Sequence, residues 1–257
     1  MPLNAIDIKG DRYYVWGDRR YVSVTTVIDV LPKPFLQRWK DKRLIEDYRN
    51  HQDDVVGERP RGPVYLRDKK PADVLEYLKG KDESASASVG TLVHQYMESI
   101  AKGLALPEPT DEDLAGFYDQ CNRFMDDYRP IIVESEVTVY SRTWGFAGTA
   151  DMILEIGGRR YFCDIKSGRS IWPEVGLQLA GYRNTDFIGR PDGTEDAIPE
   201  CDDRLGLVLH VRPDGYEPRT VGIGGHVWQT FLSALDVFEW THGGGDGTIG
   251  GIHPIDD

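Results

Sequence analysis

Two apolar runs, FAGTADMILEI (146–156) and RYFCDIK (160–166), meet across Gly157-Gly158. Aromatic and aliphatic runs joined by a Gly-Gly pair predict an antiparallel hairpin with a tight turn. Each run carries charge where the surrounding residues call for burial: Asp151 in the first, Asp164 and Lys166 in the second. A carboxylate withdrawn from water needs a compensating cation. The hairpin puts Asp151 and Asp164 on adjacent strands, and Asp164 and Lys166, two residues apart, share one sheet face. Two carboxylates and a lysine form a site for a hard divalent ion and for a developing oxyanion. On spacing alone, the alternative is a structural salt bridge. Asp68-Lys69-Lys70 repeats the Asp-x-Lys spacing in a polar stretch and is assigned no function.

Around this hairpin the sequence predicts a mixed sheet. Residues 13–24 alternate about Gly17-Asp18 and read as a short hairpin. Residues 25–49 read as helical, interrupted at Pro32 and Pro34. Residues 51–83 read as irregular, with a short helix near 72–78. The small polar residues 82–88 read as a loop supplying the N-cap of a helix over 89–102, stopped by Gly103. A further helix is predicted over 111–128, then a strand over 131–140. After the central hairpin come a helix over 173–185 opened by Pro173, a strand over 205–211 and an amphipathic helix over 226–240. The Gly-rich tail, 242–257, reads as loose. The expected class is α/β or α+β, a mixed sheet flanked by helices. It would be a single domain over 1–257, with a mainly helical portion over 1–130 and a sheet core over 131–241.

Charge limits the partners. The chain has a net charge of −13, which excludes a uniformly basic nucleic-acid surface. The balance is uneven: residues 1–80 hold 16 basic and 13 acidic side chains, residues 81–257 hold 14 and 30. A local grip on a polyanion is best placed at Arg38, Trp39, Lys40, Lys42 and Arg43, where basic and aromatic residues interleave; a solvated helix face is the other reading. No apolar run approaches the ~18 residues of a membrane span. The N-terminus lacks a signal-peptide pattern, so a cytoplasmic protein without membrane partner is expected. Cys121, Cys163 and Cys201 are too few and too scattered for a disulfide framework or an iron–sulfur cluster.

The motifs together resemble the PD-(D/E)XK nuclease superfamily, in its RecB-like branch of phage-type and mitochondrial genome maintenance exonucleases. Gly148-Thr149-Ala150-Asp151 and Asp164-Ile165-Lys166 match its core signature. Gly90-Thr91-Leu92-Val93-His94 resembles its helix motif, Gln178-x-x-x-Tyr182 its Q-x-x-x-Y motif, and residues 22–40 its N-terminal segment. The resemblance spans roughly residues 13–241. It implies a restriction-endonuclease-like fold. It further implies that His94, Asp151, Asp164 and the backbone carbonyl of Ile165 bind Mg²⁺ or Mn²⁺. Lys166 would then act on the attacking water and the phosphate, with Gln178 and Tyr182 supporting the site. Glu98 and Glu136 stand where that branch often carries acidic residues and are second-rank candidates.

The resemblance therefore implies a metal-dependent deoxyribonuclease, hydrolysing phosphodiester bonds from DNA ends in replication, recombination or repair. The alternatives are a flap-type endonuclease of the same fold and a catalytically inactive nucleic-acid-binding relative.

Overall fold

The computed structural model describes residues 5–32, 44–46, 48–59, 62–246, 248 and 250. Two compact units form, one from Met1–Leu31 with Val93–Asp257, the other from Pro32–Leu92.

The first unit is built on one strand. In chain order its elements begin with β1 (Ala5–Ile8), β2 (Asp11–Trp16), β3 (Arg19–Ser23) and α1 (Val24–Asp29). The second unit holds β4 (Val55–Arg59), β5 (Gly62–Tyr65) and the start of α2, which runs from Pro71 to Lys102. There follow α3 (Glu112–Tyr128), β6 (Ile131–Ser141), β7 (Phe146–Ile156), β8 (Arg159–Lys166), α4 (Glu174–Arg183), β9 (Phe187–Gly189), β10 (Glu195–Ala197), β11 (Leu205–Arg212), β12 (Gly215–Gly222) and α5 (His226–Glu239). Ten strands make one mixed sheet among the described residues. β7 pairs with β6 along its whole length on one edge. On the other edge it meets two partners in succession: β3, parallel, at Phe146 and Ala147, and β8, antiparallel, from Met152 to Ile156. Between them, residues 148–151 have no strand neighbour on that edge. The sheet forks there. Past Cys163, β8 leaves β7 and runs parallel to β11, pairing Cys163–Lys166 with Leu207–His210.

Helices α1, α4 and α5 cover one face of the sheet around Val24, Leu179, Phe231 and Phe146, all fully buried. Gly181 lets α4 approach closely: a β-carbon there would lie 3.1 Å from both Val24 and Phe231. A second, aromatic cluster gathers Tyr14, Tyr21, Tyr140 and Phe187, with Trp16 against it. Each fully buried side chain of this kind contributes about 1.5–3 kcal/mol, so both faces are strongly specified. No helix among the described residues is long and apolar enough to cross a membrane.

The predicted architecture, a mixed sheet flanked by helices, is present. The hairpin at Gly17-Asp18, the hairpin at Gly157-Gly158 and the stop at Gly103 stand as read. Gly103 has φ +60, and the Gly103 and Leu104 amides donate to Ile100 and Ser99, a left-handed helix terminus. Two expectations are corrected, and one strand lies where none was expected. Residues 82–88 are not a loop; α2 passes through them, since Ala and Ser tolerate helix when no φ > 0 position interrupts it. The helix expected over 25–49 with a break at the prolines is present where it is described, as α1 and again at residues 44–46 and 48–51, while 33–43 lie outside the described residues. Val55–Arg59 and Gly62–Tyr65 pair antiparallel where irregular chain was expected. Strand β12 escaped notice because Pro218 sits inside it; as the outermost partner of β11 it tolerates a missing donor. The N-terminal hairpin is also part of the same sheet as the core, through β3 and β7.

Candidate metal centre

The fork in the sheet sets the chemistry of Asp151. Because β8 has left β7, the Ile165 amide has no backbone acceptor from that strand. Asp151 Oδ2 accepts it instead, at 2.7 Å. The carboxylate thus occupies the gap between the parting strands. Its Oδ1 lies 3.5 Å from Nδ1 of His94, a residue of α2. His94 Nε2 is 3.0 Å from the Ile165 carbonyl, and because a carbonyl only accepts, Nε2 carries the hydrogen in this pairing. Nδ1 and the Asp151 carboxylate then face one another with lone pairs. A cation placed between them would bond to both.

Glu136 joins these two. Its neighbours Ser135 and Val137 pair with Met152 and Ala150, so Glu136 stands opposite Asp151 across β6 and β7. Its backbone is left-handed, φ +50, inside a strand, a conformation that costs a non-glycine residue energy and that clusters at functional sites. Donor atoms of His94, Glu136 and Asp151 all lie within 4.8 Å of one another. Partial burial and the adjacent Asp151 push the Glu136 carboxyl up to about 7. Nitrogen plus two carboxylates, with the Ile165 carbonyl alongside, is a donor set for Mn²⁺ or Mg²⁺. The surplus negative charge among these residues fits a divalent cation.

Asp164 lies beside this cluster and is engaged differently. It is 1% exposed. Its Oδ1 accepts from Gln178 Nε2 at 2.9 Å. Its Oδ2 has Lys166 Nζ 2.6 Å away, an ion pair without the directionality of a hydrogen bond. Burial, then the charge of Asp151, hold its carboxyl above the usual range, and Lys166 opposes them. Lys166 keeps 37% of its side chain exposed. Gln178 also donates to Tyr182 Oη at 3.0 Å. The edge of the Tyr182 ring meets Gly148: a β-carbon at 148 would be 2.4 Å from Tyr182 Cε1. That contact explains why the residue three before Asp151 is glycine and ties the Gly-Thr-Ala-Asp segment to the Gln-x-x-x-Tyr helix. Burial, then Asp151 and Asp164, raise the Tyr182 phenol well above its ordinary value.

The structure therefore gathers His94, Asp151, Ile165, Asp164, Lys166, Gln178 and Tyr182 through direct contacts. Glu136, a second-rank candidate, enters the donor cluster. Glu98 stands one turn after His94 and is ion-paired with Lys102. Arg38, Trp39, Lys40, Lys42 and Arg43 lie outside the described residues. The left-handed turn of Glu136 left no mark in the alternating sequence IIVESEVTVY, which reads as an uninterrupted strand.

No protein-family model matches the chain, and no curated protein matches it. Among solved structures, the crystal structure of SSO0001 aligns with 81% of this chain and 87% of its own at 16% identity, with a TM-score of 0.35. A likeness of that degree carries no argument about fold family or activity.

Proposed function

We propose that this protein is a divalent-metal-dependent deoxyribonuclease of the PD-(D/E)XK superfamily, RecB-like branch, with a restriction-endonuclease-like core. The reading is that it hydrolyses DNA from its ends. One observation carries it: an ion-paired, half-open lysine, Lys166 on Asp164, stands beside a three-residue donor cluster, His94, Glu136 and Asp151, at the point where the strands part. A structural salt bridge needs no such neighbouring cluster.

His94, Glu136, Asp151 and the Ile165 carbonyl would hold the ion, with Asp164 adjoining. Mg²⁺ or Mn²⁺ bound there supplies Lewis-acid charge to a phosphoryl oxygen and lowers the pKa of a water. Lys166 presents a second positive charge to the phosphate under attack, fixed in place and partly shielded from water, where it counts most. Asp164 holds Lys166, and Gln178 holds Asp164. Tyr182 closes the chain of contacts against Gly148.

The test is a time course on end-labelled linear and covalently closed circular single-stranded DNA with Mg²⁺ or Mn²⁺. Linear DNA is degraded and circles survive. Circles cut at a comparable rate make the protein an endonuclease. DNA bound but uncut under both ions makes it a binding protein only.

A further inference from the structure

We propose that the recess beside Glu136 is a subsite for the base and sugar of one unpaired nucleotide, whose phosphate lies at the donor cluster. This rests on the nuclease reading above and names its substrate subsite. The recess has a volume of about 360 Å³ and is bounded by the end of α2, by β6 and by the turn after β9. Glu136 lines it and also belongs to the donor cluster, so the two spaces share a wall.

Three properties select the occupant. The first is the wall itself. β9 pairs with β6 only at Val139 and Tyr140, so the stretch of β6 from Ile132 to Thr138 has no strand neighbour on this side. An open strand edge offers backbone N–H and C=O groups without a ladder partner, here re-aimed by the left-handed Glu136, and such donors and acceptors can meet the edge of a nucleobase. The second is charge. The cations of the recess are already matched: Lys102 is paired with Glu98, and Arg190 is gripped by Glu134 at 2.6 and 2.9 Å and by Asp196 at 2.6 Å. With Glu134 already engaged by Arg190, Glu136 adds negative charge. The recess therefore offers a phosphate no unmatched cation among its lining residues and accepts a neutral, hydrogen-bonding group, with Ile132 as apolar surface for a ring. The third is size. The volume lies at the small end of ligand pockets, suited to one nucleoside and not to a base pair. A base must be unpaired to enter.

The test uses thymidine as probe, read by saturation-transfer NMR, with Mn²⁺ binding followed by electron paramagnetic resonance. Ala101→Trp and Pro191→Trp fill the recess from opposite walls. Circular dichroism verifies folding, and if one variant fails to fold the other decides. The expected result is saturable thymidine binding that inorganic phosphate does not displace, weakened at least tenfold in each folded variant, with Mn²⁺ binding unchanged. Absent thymidine binding, wild-type affinity in a folded variant, or displacement by phosphate would overturn the subsite. Thymidine binding without Mn²⁺ binding would support the recess and overturn the metal-dependent reading.

Discussion

Lys166 leaves more than a third of its side chain in water while its partner Asp164 is buried. Lys166→Ala is expected to lower DNA cleavage by more than tenfold, about 1.4 kcal/mol in the barrier, with a circular dichroism spectrum like that of the wild type. Retention of more than a tenth of the rate would remove Lys166 from the chemistry. Glu136 gives the opposite signature. Its carboxyl titrates near 7 in the folded protein, against an ordinary 4.5, because of partial burial and the nearby Asp151. An acid raised on folding costs nothing below its unfolded pKa, and its penalty grows as pH climbs from about 4.5 to about 7. In chelator, Glu136→Gln should therefore melt at the same temperature as wild type at pH 4.5 and higher at pH 8. Glu136 is partly open to solvent, so the gain is modest. Saturating Mn²⁺ should reverse the order, stabilising the wild type more than the variant.

Helix α4 and strand β7 are coupled through Gly148 and Tyr182. A methyl group at 148 would overlap the tyrosine ring at 2.4 Å, closer than any relaxed contact. Gly148→Ala is expected to destabilise by about 1–3 kcal/mol through overpacking, measured by chemical denaturation. Tyr182→Leu in the same chain should recover part of that loss; equal additive losses would place the strain elsewhere. This pair also shows how much of the site was legible. The sequence exposes Gly148, Asp151, Asp164, Lys166, Gln178 and Tyr182 because each is a polar or minimal residue within an otherwise apolar or regular pattern. What it could not expose is the left-handed backbone at Glu136, since a dihedral reversal within an alternating strand alters no residue type. The long helix α2 was cut in two for a related reason. Ser-rich chain favours caps and turns through local competition, and only the continuing helical frame settles the matter.

Across the whole molecule, the sharing of one edge of β7 between β3 and β8 could not be read from sequence. Pairing at both ends of one edge of β7 is a long-range property, and no local pattern encodes which partner meets which half. Charge is similarly uneven at this scale. On the proposed nuclease reading, a chain of net charge −13 would hold DNA through few basic side chains, each adding to the salt dependence. Replacing Arg38, Lys40, Lys42 and Arg43 by Ala should flatten the slope of log affinity against log salt by roughly one unit per lost phosphate contact. An unchanged slope would assign that stretch to solvent. The forked sheet has one last consequence, in spectroscopy. The Ile165 amide proton is bonded to an ionisable side chain rather than to a carbonyl. Its resonance should therefore move when a cation draws on the Asp151 carboxylate, so that this single amide cross-peak of nitrogen-15-labelled protein reports ion binding at Asp151 directly.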